Sequence, residues 1–434
     1  MSKLTYKNYL LTLLTFIAVF NYLDRIILSL LLEPIKQDLN LNDSQLGLLT
    51  GFAFSAFYAL AGIPLAQWAD RGNRNILVFV TTAIWSSMVA LSGAVGNFTQ
   101  FLLVRVGVAV GEAGCVPAAQ SLIADHFDRA ERPHAMAIYW LCYPIAVILG
   151  YFGGGLLADY VGWRLTFIVL GVIGVLIALL AKLTLYEPRL KQRSIIVAEQ
   201  PSFKEVLDTL CRQPAFRRIV LGFCVAYFFG SGFIQWMPTF FARSHAMDTS
   251  ELGMWLALSW GVCGLFGTYL GGYVAVNYAA GKEALQMRTV AILFVFQGFL
   301  YAMVFLSSNK YEAMTYMAAV GFVSTLANGP VFSAIQSLAN NRMRSISVAL
   351  IFLLANLIGA GFGPLITGVV SDLLVSSFGK ESLRYALMIL SPGLLWPAYF
   401  YWRAAITIEE DIHHVELTSE FLKAEKISFD GNTM

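Results

Sequence analysis

The 434-residue chain is 58% hydrophobic and 13% charged, with a mean hydropathy of +0.66 and a net charge of +2. A charged share about half the usual ~25% excludes an ordinary soluble domain, and cations scattered over short loops exclude a nucleic-acid partner. The five cysteines and five histidines have no ligand-like or catalytic spacing, so neither an enzyme, a metal site nor a bound cofactor is expected.

Twelve apolar segments can be drawn, at about 8–32, 44–67, 76–96, 100–124, 134–158, 164–184, 217–242, 250–276, 288–307, 312–339, 346–375 and 383–405. At about 1.5 Å per residue, each is long enough to cross a hydrocarbon core roughly 30 Å thick. Lys3 and Lys7 precede the first segment, but its apolar run is too long for a signal peptide and has no small-residue cleavage site, so it reads as a retained span. Inside it stand Asp24 and Arg25. Charges at that depth cost at least about 2.5 kcal/mol on insertion scales, so they are expected to pair, to face a polar cavity and to serve function.

The loop after the second segment reads Ala69-Asp70-Arg71-Gly72-Asn73-Arg74. In the fourth segment Arg105 and Glu112 are seven residues apart, on one helix face two turns apart. With Asp24 and Arg25 they form two acids and two bases confined to the first half of the chain. The segment after residue 186 is the one long loop. There Ser202 and Glu205 fit a capping box, while Phe203, Val206, Leu207 and Leu210 recur at helical spacing, which predicts an amphipathic surface helix.

The domain plan is therefore a six-helix bundle over residues 1–185, a cytoplasmic linker over 186–216, a second six-helix bundle over 217–405 and a cytoplasmic tail over 406–434. Of the 29 Lys and Arg residues, 21 fall on the side of the N-terminus and 6 on the other, leaving Arg25 and Arg105 inside. An even number of spans and the positive-inside rule place both termini in the cytoplasm. Short loops and tails suit a bacterial inner membrane, with the bilayer as surroundings and the protein as a monomer.

Three matches relate the halves. Gln120-Ser121-Leu122 recurs as Gln336-Ser337-Leu338, Ser44-Gln45-Leu46-Gly47 as Ser250-Glu251-Leu252-Gly253, and Gly155-Leu-Leu-Ala-Asp159 as Gly368-Val-Val-Ser-Asp372. Each pair occupies the same place in the hydropathy pattern, at offsets of 216, 206 and 213. Two parallel halves with substrate between them describe the major facilitator architecture. The repeat sets Asn328 opposite Glu112 and Gly321 opposite Arg105, so the second half has lost the charges of the first. Its intramembrane Gln235, Gln297, Asn328 and Asn356 read as helix-packing hydrogen bonds. The glycines of segments five and eleven provide small faces on which helices can approach and slide.

One charged wall and one apolar, aromatic wall suit a small amphipathic or anionic substrate. Its ionic group would sit toward Arg25, Arg105 and Glu112, and its tail toward the second half. Proton coupling follows from the same residues: a carboxylate out of water favours its protonated form, a nearby guanidinium favours the ionised form, and arginine itself stays charged. The proton is thus the coupling ion, carried by Asp24 first and Glu112 second. A sodium ion on the same carboxylates is the alternative.

Asp70, Arg71, Gly72 and Arg74 resemble the signature loop of the major facilitator superfamily, which implies that this acid and these arginines, Asp70, Arg71 and Arg74, tie cytoplasmic helix ends at an inner gate. The order of Gly72 and Asn73 departs from the usual form. Asn21-Tyr22-Leu23-Asp24-Arg25, Asp43-Ser44-Gln45-Leu46-Gly47-Leu48, Arg105 through Glu112-Ala113 and Ile123-Ala124-Asp125-His126-Phe127 together resemble the Spinster family across most of the first half. That resemblance implies proton-linked movement of lysophospholipids or sphingosine phosphate, with roles for Asp24, Arg25, Arg105 and Glu112. Two alternatives stay open: a proton-coupled symporter of organic or sugar acids, and, from a different class, a lipid scramblase or channel.

Overall fold

The computed structural model describes residues 3–128, 130–187, 212–278, 281–338 and 350–431. The expected linker helix at residues 202–210 and Cys211 lie outside them. The described residues are almost entirely helical and contain no strand. Lipid leaves no alternative for an open chain: a spanning backbone must bond to itself.

Ten stretches are long and apolar enough to cross a membrane, and two of these, Arg132–Thr184 and Leu350–His414, double back. The first turns at Gly162, whose φ of +76° suits a residue without a Cβ. Both of its ends then reach one end of the bundle, where Glu131 accepts from Lys7 at 2.7 Å and the Tyr186 amide donates to Tyr6 Oη at 2.7 Å. The second turns at Gly379, φ +54°.

Among the described residues twelve crossings result. Spans 1 to 6 are Lys3–Leu30, Asp43–Ala69, Arg74–Ser92, Phe98–His126, residues 132–161 and residues 163–184; spans 7 to 12 are Pro214–His245, Thr249–Val274, Glu283–Leu306, Lys310–Leu338, residues 350–378 and residues 382–431. The last runs on as helix to Gly431, well past the apolar segment. A short helix, Leu32–Leu39, follows span 1.

The two halves meet through spans 2 and 11 and through spans 5 and 8, toward the end opposite the termini, here the far end. A Cβ at Gly47 of span 2 would stand 2.5 Å from the Pro364 carbonyl oxygen of span 11, and one at Gly155 of span 5 would stand 2.7 Å from the Thr249 carbonyl oxygen at the start of span 8. Only glycine permits backbones so close. Spans 5, 8 and 11 each contain a π turn, at Leu149–Gly153, Ala257–Val262 and Ala355–Ala360, the wider turn often found at functional positions. The glycine faces divide their work. Gly150 and Gly154 lie against Ile26 and Ile27 within the first half, Gly359 and Gly363 lie against span 7 within the second, and Gly155 and Gly361 face the opposite half.

At the terminal end the contacts stay within each half. Arg74 and Lys7 tie the first half together there, and Asp411 accepts from the Ala215 amide at 2.7 Å in the second. Among the described residues no hydrogen bond joins the halves at this end. Among the described residues, the hydrogen bonds that join the halves all lie toward the far end.

Candidate translocation site

Spans 1 and 4 bring the four intramembrane charges together as two crossed ion pairs. Arg105 Nη1 donates to Asp24 Oδ2 at 2.7 Å, both side chains being 2% exposed. Arg25 donates through Nε at 2.7 Å to Glu112 Oε2, and its Nη2 donates to the same oxygen. Glu112 is fully buried, whereas Arg25 keeps 29% of its side chain exposed. Adjacent residues on span 1 thus point to partners two helical turns apart on span 4, which the seven-residue spacing of Arg105 and Glu112 makes possible.

Aromatic rings complete the setting. The Arg25 guanidinium carbon lies 4.4 Å from the Phe54 ring centre, 5.2 Å from Tyr58 and 5.6 Å from Tyr22, and that of Arg105 lies 5.3 Å from Phe54. Phe54 of span 2 therefore takes both cations, a favourable placement away from water. Within the second half, Phe223, Phe332 and Phe352 pack ring to ring at 5.4–5.9 Å as part of its core, and Phe362 meets Phe52 of the first half at 5.0 Å.

The pairs are incompletely bonded. Asp24 Oδ1, Glu112 Oε1 and Arg105 Nε are buried and have no hydrogen-bond partner. A buried polar atom in that condition ordinarily binds water or a ligand, or marks a functional position. In the second half Gln297 makes the expected packing bond, to Ser324 Oγ at 2.7 Å, whereas Asn356 donates to the Phe352 carbonyl of its own helix at 2.8 Å, Gln235 Nε2 has no partner and Asn328 is exposed.

Of the signature-loop residues, Arg74 is wholly buried at the terminal end. It binds both carboxylate oxygens of Glu187, Asp125 Oδ2 at 2.6 Å and the hydroxyl of Ser121 at 3.0 Å, joining the ends of spans 3, 4 and 6. All of these partners lie in the first half. The side chains of Asp70 and Arg71 lie outside the described residues.

A second polar cluster, at the far end, was not singled out from the sequence. Asp43 accepts from Lys36 Nζ at 2.6 Å, from Arg243 Nη1 and Nη2 at 2.7 Å each and from Ser371 Oγ at 2.7 Å; Glu33 accepts from Arg243 Nε at 2.6 Å. Beside it Asp372 accepts from the amides of Asp43 and Ser44 at 3.0 and 2.7 Å, and Asp159 accepts from the Ser250 amide at 2.9 Å. Each repeated aspartate thus meets the helix start of the opposite half. The repeat itself carried the signal: Asp159 and Asp372 match each other, as do Ser44 and Ser250.

Comparison with known proteins places this architecture. Residues 14–364 match the Major Facilitator Superfamily. The chain belongs to that superfamily. This facilitator is 31% identical over 407 residues to an MFS-type efflux pump of Mycolicibacterium smegmatis, covering 92% of both chains, and 29% identical to a probable L-galactonate transporter of Escherichia coli, covering 87% of this chain and 84% of that one. It superposes on the crystal structure of a bacterial homologue of the human lysosomal transporter Spinster, inward-facing and unoccupied. The TM-score is 0.86 at 28% identity, over 94% of this chain and 98% of that one. It is a Spinster-like, multi-pass membrane transporter and not an enzyme.

Proposed function

We propose that this facilitator is a secondary carrier working by alternating access, in which the movement of a proton is coupled to that of an amphipathic anion of the lysophospholipid or sphingosine-phosphate kind. The observation that carries the reading is the Arg25–Glu112 pair: the guanidinium is partly open to its surroundings and spends two donors on one oxygen, while the other Glu112 oxygen has no partner. An arriving phosphate or carboxylate competes with Glu112 for Arg25. Once displaced, a buried carboxylate without its counter-ion is costly, and taking a proton removes the cost. Substrate and proton thus bind together, and when both leave the pair re-forms. Asp24, in the less exposed pair with Arg105, is the other proton carrier; the sequence places it first, and the partly open Arg25 favours Glu112 instead. No resident cofactor enters this scheme; the proton is the coupling ion.

The Lys and Arg excess at the terminal end supports cytoplasmic termini; a bacterial inner membrane and a monomer as the working unit complete the proposal. A proton moved together with a monoanion carries no net charge, so the pH gradient rather than the membrane potential drives accumulation; each uncompensated charge would add about 2.3 kcal/mol per 100 mV. The relation to a probable L-galactonate transporter favours a second reading, a symporter of sugar acids in which the aromatic half is scaffold.

Proteoliposomes with an imposed pH gradient, offered labelled lysophosphatidate or labelled aldonic acid, separate the two. Glu112→Gln and Asp24→Asn are each expected to abolish gradient-driven uptake and to retain counterflow exchange. Uphill uptake at the wild-type level in both variants rejects these residues as the proton carriers.

A further inference from the structure

Around Arg25 the lining contains tyrosines where phenylalanine would satisfy packing alone. Tyr22 and Tyr58 flank the guanidinium. Tyr143 of span 5 meets Tyr22 edge-on, with ring centres 5.3 Å apart, and is 48% exposed. Tyr227 of span 7, in the opposite half, lies within electrostatic range of both Arg25 and Tyr58. Three of these hydroxyls, on Tyr22, Tyr143 and Tyr227, make no hydrogen bond with any described residue, and none of the three rings is fully buried. Elsewhere in the first half Tyr9 donates to Thr184 at 2.7 Å and Tyr6 accepts from the Tyr186 amide, while the buried Tyr139 hydroxyl has no partner.

A phenol differs from a phenyl only in a hydroxyl that is costly to bury unless it is bonded. Three such hydroxyls, contributed by both halves in the surroundings of one guanidinium, form a collar that can bond oxygens a few atoms away from an anion. The neighbouring Phe54 and Phe52 show that plain rings serve where no polar contact is made.

We propose that Tyr22, Tyr143 and Tyr227 recognise free hydroxyls on the substrate head group, so that the cargo is a hydroxylated anion: an acid or phosphate with an alcohol within a few atoms. The proposal rests on the reading of Arg25 as the anion site. The same chemistry occurs in a lysophospholipid head and in an aldonic acid, so both sources are tested. Because Tyr227 belongs to the second half and the other two to the first, a hydroxylated ligand also bridges the halves, as a carrier that closes around its cargo requires.

The test uses the purified full chain and two matched pairs of ligands: lysophosphatidate against dodecyl phosphate, and gluconate against hexanoate. In the pair that matches the cargo, the hydroxylated member is expected to bind about tenfold or more tightly, since a site built to hydrogen-bond a hydroxyl penalises its absence. Tyr227→Phe and Tyr143→Phe should each reduce that preference several-fold, leave the Kd of the dehydroxylated member unchanged and leave the unfolding temperature at the wild-type value. Equal affinity within both pairs, or variants that weaken both members of a pair alike, overturns the collar while leaving anion binding at Arg25 intact. Failure of all four ligands to bind the wild type overturns the collar and the anion site together.

Discussion

Two buried acidic clusters in this facilitator are built to opposite specifications. Asp43, at the far end, has both oxygens saturated by donors from three separate elements, the short helix after span 1, span 7 and span 11. Glu112 and Asp24, in the middle, each leave an oxygen without a partner. A fully bonded buried carboxylate is expensive to disturb and acts as a fastening. One with spare capacity can change partners, and it lies where a substrate passes. The difference separates what holds the far end shut from what responds to cargo. It also accounts for the position of the glycines, which bring spans 2 and 11 into backbone contact beside the fastening.

The comparison is broken most forcefully at Asp43. Asp43→Ala leaves Arg243 and Lys36 without their shared acid, and loss of one partner from a buried pair typically costs about 3–5 kcal/mol. The far end should open: spin labels on the far ends of spans 2 and 11 are expected to gain a longer-distance component. An unchanged distance distribution would remove Asp43 from the gate.

An intermediate effect is expected at the inner pair of the central cluster. Asp24→Ala and Arg105→Ala should each lower the unfolding temperature, because each strands a buried charge, while the double variant should be less destabilised than the sum of the two by about 1–3 kcal/mol. Strict additivity would mean that the 2.7 Å contact between them carries no coupling. The smallest effect belongs to Asp159→Asn. Among the described residues this acid bonds the exposed start of span 8, and an anion at a helix N-terminus is worth about 0.3–1 kcal/mol. The open-to-closed ratio of the far end, read from the same spin labels, should move about two- to fivefold toward open; a shift as large as that of Asp43→Ala would contradict the division drawn above.

Much of the site could be read before any coordinates. Asp24, Arg25, Arg105 and Glu112 are conspicuous because charge inside an apolar run is costly, and the seven-residue spacing on span 4 put two of them on one face. Which acid meets which base could not be read, since both pairings satisfy the spacing; the approach of spans 1 and 4 selects Asp24 with Arg105 and Arg25 with Glu112. Arg74 was marked as a gate residue by its motif, and the structure gives it partners at the ends of spans 4 and 6. Asp43 was visible only as part of a resemblance. Lys36 and Arg243 looked like ordinary loop charges, because nothing local in sequence brings residue 243 to residue 43.

By itself the sequence determined the number of crossings, the division into related halves and the confinement of buried charge to one of them, because each follows from the cost of placing polar groups in lipid. Tertiary structure alone decided which charges pair, which end of the cleft is closed and that Asp159 and Asp372 each fasten the opposite half. Those outcomes depend on helices far apart in the chain coming within hydrogen-bond distance, and a bond of that range leaves no periodicity along the sequence.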